Sequence, residues 1–162
     1  MSNTILIRDV MTTGLLTLDP EAPIYQAIDH LLKHRISGAP VTDDHNKLVG
    51  ILSEKDCLRI FANEAFFSEG AGGHVKDFMS TKVMTIDPDD DVFAAADIFL
   101  KSHFRRLPVI EDGRLVGQVS RRDILSASLK ILGESSMKKK WTDSKYITEE
   151  IQAVLSSRRH SD

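Results

Sequence analysis

One cysteine in 162 residues rules out an intramolecular disulfide, and Cys57 stands in an apolar helical stretch where a packed thiol is expected ahead of a reactive one. No run approaches the roughly 18 uninterrupted apolar residues of a bilayer-spanning helix. The opening "MSNTILIRDV" lacks the basic-then-apolar form of a signal peptide, so the expectation is a cytoplasmic protein without membrane insertion. Basic residues do not run together with interleaved aromatics. With a net charge of −3 and a pI near 6.1, this argues against a dedicated nucleic-acid surface. Catalytic signatures are missing too: the chain holds no GxSxG, GxxxxGK, GxGxxG or HExxH. His30 and His34 have the i, i+4 spacing of a shared metal site. They fall mainly off the apolar stripe without a second ligand cluster, and a solvent-facing pair is expected. No nucleophile emerges, which ranks an enzyme last among the function classes.

What is present is a duplication. A shift of 68 positions superimposes Asp9 on Asp77, Met11 on Met79, Thr17 on Thr85, Asp19-Pro20 on Asp87-Pro88, Ala27 on Ala95, and Pro40-Val41 on Pro108-Val109. One residue is lost in a turn, Asp43-Asp44-His45-Asn46 against Glu111-Asp112-Gly113. A shift of 67 then aligns Leu48-Val49-Gly50 with Leu115-Val116-Gly117, Ser53 with Ser120, and Asp56 with Asp123. Two copies with so long a period point to an internal pseudo-dyad and not to an open array. Units below about 80 residues are marginal alone, so two of them gain by burying apolar faces against each other. The 41% apolar content can build that core.

Within each unit the apolar positions Ile24, Ala27, Ile28, Leu31 and Leu32, and Val92, Ala95, Ala96, Phe99 and Leu100, mark one face of a helix. Pro23 suits a first helical position and Asp90 an N-cap, whereas Ala22, its counterpart, caps poorly. The runs "APVTD" and "KLVGILS", and "LPVIED" and "RLVGQVS", read as hairpins. A second helix follows Ser53 or Ser120, with Cys57, Leu58 and Phe61, or Ile124, Leu125, Leu129 and Leu132, expected on its inner side. A short strand around Thr17 or Thr85 completes β-α-β-β-α per unit, an α/β (α+β) fold whose sheet needs a cover on its second face. The expected organisation is residues 5–66 as unit 1, 67–76 as a glycine-bearing connector, 77–133 as unit 2, and 134–162 as a tail. The connector reads as a surface loop or a lid. In the tail, Ile147, Ile151, Val154 and Leu155 mark a helical face for docking in cis or on a partner.

Three repeated features carry chemistry. Ser53-x-x-Asp56 and Ser120-x-x-Asp123 stand where a strand meets a helix: each is close to a capping box, and each carboxylate could also accept from two vicinal hydroxyls of a ribose. Pro40 and Pro108 lack an N–H and can leave neighbouring backbone groups free for a flat polar ring, or simply begin a strand. Arg105 and Arg106 place two forked donors beside the second Pro, as phosphate would favour, where the first unit has Ser37 and Gly38. The two sites are therefore expected to be unequal.

In order, the Asp-x-Met opening, the Thr strand, the apolar-x-x-x-Pro-Val start, the Leu-Val-Gly strand and the Ser-x-x-Asp helix start occur twice. Over about residues 5–132 this set resembles a tandem pair of CBS (cystathionine-β-synthase) domains. The resemblance implies two units packed through their sheets with two clefts between them, and commonly a homodimer in a flat four-unit disc. It implies an adenosine-containing ligand, AMP, ADP or ATP first, with S-adenosylmethionine or NAD as further candidates, and no obligatory cofactor. By likeness, Asp56 and Asp123 would hold ribose hydroxyls, with Ser53 and Ser120 as supporting or phosphate contacts. Ile36, Ser37, Gly38, Ala39 and Pro40, and Phe104, Arg105, Arg106, Leu107 and Pro108, would frame the base, and Thr17 and Thr85 would close each cleft. The implied role is a regulatory sensor signalling to a separate enzyme or transporter. The alternative is a constitutive dimerisation scaffold.

Overall fold

The computed structural model describes residues 5–62 and 72–133. Residues 2–124 form one compact unit holding both repeats up to the start of the last helix, and the chain from Leu125 belongs to a second. The expected tail helix and residues 67–71 of the expected connector lie outside the described residues. The elements are α1 (Ile7–Val10), α2 (Ile24–Lys33), β1 (Gly38–Thr42), β2 (Leu48–Ser53), α3 (Glu54–Ala62), α4 (Val75–Phe78), α5 (Val92–Lys101), β3 (Arg106–Glu111), β4 (Arg114–Ser120) and α6 (Arg121–Leu132).

Both hairpins form where the sequence predicts them, with the same irregularity: each register slips once, at Val41/Thr42 and at Val109/Ile110. Asp112 and Gly113 take positive φ, 49° and 77°, as a two-residue hairpin turn of the primed kind requires. In the longer first turn the Asp43 carbonyl accepts from Asn46 N–H at 2.9 Å, and Asn46 takes the left-handed conformation. That extra residue has a use. Asn46 Nδ2 donates to the Leu115 carbonyl at 2.8 Å and the Asn46 carbonyl accepts from Leu115 N–H at 3.0 Å, joining the two hairpins.

The repeats exchange their openings. Thr12 and Gln118 trade N–H···O bonds of 2.9 and 3.0 Å, and Ser80 and Ile51 trade equivalent bonds of 2.9 and 3.0 Å, so the opening of each repeat extends the other repeat's hairpin. Ile7 N–H donates to Asp90 O at 2.8 Å, and Val75 N–H to Ala22 O at 3.0 Å. The side chains of Ile7 and Val75 are fully buried, and Val75, with Phe78 and Met79 beside it, packs in the first repeat's core of Leu18, Ile24, Ala27, Leu31, Val41 and Leu52. Arg8 reaches Asp89 with Nε···Oδ1 2.8 Å, and its repeat-mate Lys76 reaches Glu21 at 2.7 Å, an ion pair fastening each exchanged segment. This also accounts for the Gly of Leu-Val-Gly. A Cβ on Gly117 would lie 2.7 Å from Met11 Sδ and 2.9 Å from the Thr12 carbonyl, and one on Gly50 2.6 Å from Met79 Sδ.

The strands expected around Thr17 and Thr85 shrink to single parallel bridges, Leu18 to Val41 and Ile86 to Val109. Proline is the physical reason. Leu18 N–H donates to Pro40 O at 2.9 Å and Thr42 N–H to Leu18 O at 3.1 Å. The next bond of a parallel ladder would need an N–H on residue 40, which Pro lacks. Pro108 stops the Ile86 bridge in the same way, after Ile86 N–H donates to Pro108 O at 3.1 Å.

Other expectations need correction. The N-caps are Pro23 and Asp91, not Ala22 and Asp90. Asp91 Oδ1 accepts from Ala94 N–H at 2.9 Å, while Asp90 Oδ2 is spent on Asp87 N–H at 3.1 Å. The predicted helix stripes are wider than the core: Leu32 is 66% and Leu100 86% exposed. On the second helices Cys57, Ile60, Ile124 and Ala127 are buried, but Leu58 and Leu125 are each 67% exposed, and Phe61 and Leu129 also face outward.

Gly117→Ala is expected to destabilise the protein by about 1–3 kcal/mol in urea unfolding, because the Thr12 carbonyl, unlike the Met11 tip, cannot swing aside. Gly72→Ala, with open space around its Cβ, is the neutral control.

Candidate functional site

At the end of each hairpin the strand runs into a helix within one residue, and the same four atoms meet twice. Ser53 N–H and Oγ donate to Asp56 Oδ2 at 2.9 and 2.6 Å, and Asp56 N–H returns to Ser53 Oγ at 3.2 Å. In the second copy Ser120 N–H and Oγ donate to Asp123 Oδ2 at 2.7 and 2.6 Å, and Asp123 N–H returns to Ser120 Oγ at 3.3 Å. These are reciprocal caps, satisfying helix donors that would otherwise lack partners. A carboxylate has two oxygens, however, and each cap consumes only Oδ2.

The copies differ at Oδ1. Asp56 is 7% exposed, and its Oδ1 is met by Arg59 Nη1 at 3.4 Å and by Ser80 Oγ at 3.5 Å. Asp123 is only half-buried, and among the described residues no hydrogen bond reaches its Oδ1.

Of the predicted rim, Arg105 and Arg106 are tied to the strand end and helix start that carry Ser120 and Asp123. Arg106 lies opposite Ser120 in the β3–β4 register, and the Arg105 carbonyl accepts from Arg121 N–H at 3.3 Å. Arg105 and Arg106 are exposed and form no ion pair among the described residues, nor does Arg122, which immediately precedes Asp123. Arg121 turns away: it donates to the Ser102 carbonyl at 3.2 Å and lies 5.9 Å from the Phe99 ring centroid. Phe104 is partly exposed, and Thr85 stands exposed beside the Ile86 bridge to Pro108's strand. In the first cleft Gly38 lies opposite Ser53, the Ser37 carbonyl accepts from Glu54 N–H at 2.9 Å, and Thr17 is exposed beside Leu18. Ile36 is half-buried. Ala39 and Leu107 bury their side chains in the core, and Pro40 and Pro108 are buried as well, so none of these four has an exposed side chain.

Sequence reading missed Arg59 and Ser80. Ser80 aligns with Thr12 one place after the repeated Met, but nothing in that alignment says that the segment crosses to the other repeat. Cys57 packs as expected: burial, then the neighbouring Asp56 charge, pushes its thiol above the usual range. His30 and His34 are exposed with ring centroids 4.6 Å apart. The apolar cavity of about 290 Å³ between α2 and α3, lined by Ile28, Leu31, Leu32, Glu54, Cys57, Leu58 and Phe61, includes none of the predicted ligand residues. Among the described residues no helix is long and apolar enough to cross a membrane.

The CBS domain family matches the chain twice, over residues 7–63 and 75–130, on the two halves just described. The chain is a CBS-domain pair. Protein MJ1225 of Methanocaldococcus jannaschii, itself uncharacterized, is 30% identical over 127 residues, which are 78% of this chain and 42% of that protein. The chain thus spans less than half of that relative. Among solved structures, CBSX2 of Arabidopsis thaliana in complex with AMP superimposes with a TM-score of 0.70 at 31% identity, over 80% of this chain and 99% of that one. The CBS pair of protein MJ0100, in complex with 5′-methylthioadenosine and S-adenosyl-L-methionine, gives a TM-score of 0.64 at 28% identity, over 77% and 96%. Two small antiparallel hairpins with flanking helices are the architecture shared with these CBS pairs.

The matched caps predict matched stabilities. Ser53→Ala and Ser120→Ala should each cost about 1 kcal/mol in urea unfolding, since the two hydroxyls make the same pair of bonds.

Proposed function

We propose that this CBS pair is a regulatory sensor of an adenosine-containing ligand, AMP, ADP or ATP, held in the cleft of the second repeat. The observation that carries the reading is Asp123. It is rigidly set by its cap yet among the described residues keeps one carboxylate oxygen unengaged, and a ribose hydroxyl pair donates to that kind of acceptor. Arg105, Arg106 and Arg122 supply positive charge close by for phosphate, and the flat base would lie against the backbone left unpaired beside Pro108. The adenosine complexes of CBSX2 and MJ0100 support the ligand class. No catalytic role is needed in this reading. The signal would pass to a separate enzyme or transporter in the cytoplasm, in keeping with one free, buried thiol.

A homodimer belongs to the same proposal. Leu32 and Leu100, and Leu58 and Leu125, are exposed leucines at matching positions of the two repeats, and repeated exposure of large apolar side chains marks a contact surface. A second copy of the chain fits the repetition. Leu58→Glu should yield a monomer in light scattering on a sizing column; a dimer that survives it would place the interface elsewhere.

Isothermal titration with AMP and ATP tests the ligand. Asp123→Asn is expected to weaken binding about tenfold or more, the worth of charge-assisted hydrogen bonds, while Asp56→Asn changes it little. In thermal unfolding, ligand at ~100 times its Kd should add about 2.7 kcal/mol of stability. No response to any adenosine ligand would favour the scaffold.

A further inference from the structure

The two clefts part company at the second oxygen of their aspartates. Asp56 Oδ1 receives a guanidinium N–H from Arg59 at 3.4 Å and stands 3.5 Å from the Ser80 hydroxyl. Both contacts are long, but they converge on one atom of a carboxylate whose side chain is only 8% exposed. Arg59 reaches back from the next turn of α3. Ser80 arrives from the opening of the other repeat, and its backbone is fixed to Ile51 by the two exchanged bonds described above.

Neither group has an equivalent in the second cleft. The residue matched to Arg59 is Ser126, which is uncharged. The residue matched to Ser80 is Thr12. Its backbone is fixed to Gln118 by the same pair of bonds, yet no hydrogen bond joins its side chain to Asp123 among the described residues. The charge around the entrances differs in step. Glu54 and Lys55 precede Asp56 and offset each other, whereas Arg121 and Arg122 precede Asp123.

A ribose presents a carboxylate with two donors a few ångströms apart. Arg59 and Ser80 present two donors to the same oxygen, one of them charged. A nucleoside entering there would have to displace both from a carboxylate that is already buried. We propose that Arg59 and Ser80 fill the ribose position of the first cleft from within, so that the chain takes a single adenosine ligand and uses the first cleft as a fixed latch between repeats. What enters the second cleft rests on the reading given under Proposed function; closure of the first rests on the Asp56 contacts alone.

Carboxylate labelling of the native protein with a carbodiimide and glycinamide, read residue by residue by mass spectrometry, tests the latch without any nucleotide. Asp123 should label about ten times faster than Asp56, and Arg59→Ala with Ser80→Ala should bring Asp56 up to the rate of Asp123. Equal labelling in the unaltered protein overturns the proposal, whether or not the double variant folds. Calorimetric titration with AMP supplies the second readout, with one site per chain expected in the unaltered protein and two in the double variant. Two sites in the unaltered protein, one of them lost in Asp56→Asn, overturn the latch and leave adenosine sensing intact. If no adenylate binds at all, the sensing reading fails and the labelling ratio alone decides the latch.

Discussion

Two backbone bridges, Thr12 with Gln118 and Ser80 with Ile51, hold the rest of this structure in place. Each repeat by itself contributes one two-stranded hairpin, and such a hairpin is marginal in water. The exchanged openings widen each hairpin on its outer side, while Leu18 or Ile86 widens it on the inner side, so β1 and β3 acquire neighbours on both edges. The same exchange drives Ile7 and Val75 into full burial and sets an ion pair, Arg8 with Asp89 or Lys76 with Glu21, at the place where each segment crosses. Glycine at positions 50 and 117 is the steric condition for it, since any side chain there meets the incoming Met79 or Met11. Neither repeat can therefore be removed without opening the sheet and the core of the other.

Coupling between the halves follows from that exchange. The segment that leads out of the Ser80 bridge reaches Thr85 within five residues, and the segment leading out of the Thr12 bridge reaches Thr17 as quickly. Each short stretch joins one repeat's sheet edge to the other repeat's cleft. Pro40 and Pro108 keep the stretches from zipping into full strands, because the donor that would extend the parallel ladder is missing. The backbone around Thr17 and Thr85 is thus anchored at one bridge and unpaired just before it. Under the proposed sensing role, a ligand engaging this backbone would act on a segment whose other end is bonded into the opposite sheet.

How much of this could be read from residues alone depends on the range of the interaction. The hairpins, their turns and the Ser-x-x-Asp caps are local, and Asp112-Gly113 or Ser53 with Asp56 carry their geometry in a few consecutive positions. The duplication was legible because it is a statement about sequence and not about space. The exchange was not: Met11 and Gly117 are separated by most of the chain, and alignment of the repeats pairs Met11 with Met79, not with the glycine that it touches. Helical stripes were read too broadly for a related reason. Periodicity places Leu32 and Leu58 on an apolar face but cannot divide that face between the core of this chain and whatever else it meets. The caps at Pro23 and Asp91 were missed by one residue, since adjacent Asp90 and Asp91 are chemically equal candidates and only the turn at Asp87 decides which is used.

A cap and a ligand site are often treated as rival explanations of one carboxylate, yet a cap that engages only Oδ2, as in both aspartates of this chain, is compatible with either fate for the other oxygen. Capping asks for a single acceptor pointed at the Ser N–H and hydroxyl, and Oδ2 meets that need equally in both copies. In doing so it freezes the side-chain torsions and removes the entropy that a binding group would otherwise lose on contact with a ligand. The remaining oxygen is then preorganised, and its fate depends on neighbours that the motif does not include. Where an arginine one turn on and a serine from the exchanged opening converge, Oδ1 joins the interior of the fold, as Asp56 does. Where those positions hold Ser126 and Thr12, no hydrogen bond reaches Oδ1 of Asp123 among the described residues. Divergence of two duplicated sites therefore needs no change in the motif itself, only in the residues that decide whether the second lone-pair face of its carboxylate reaches solvent.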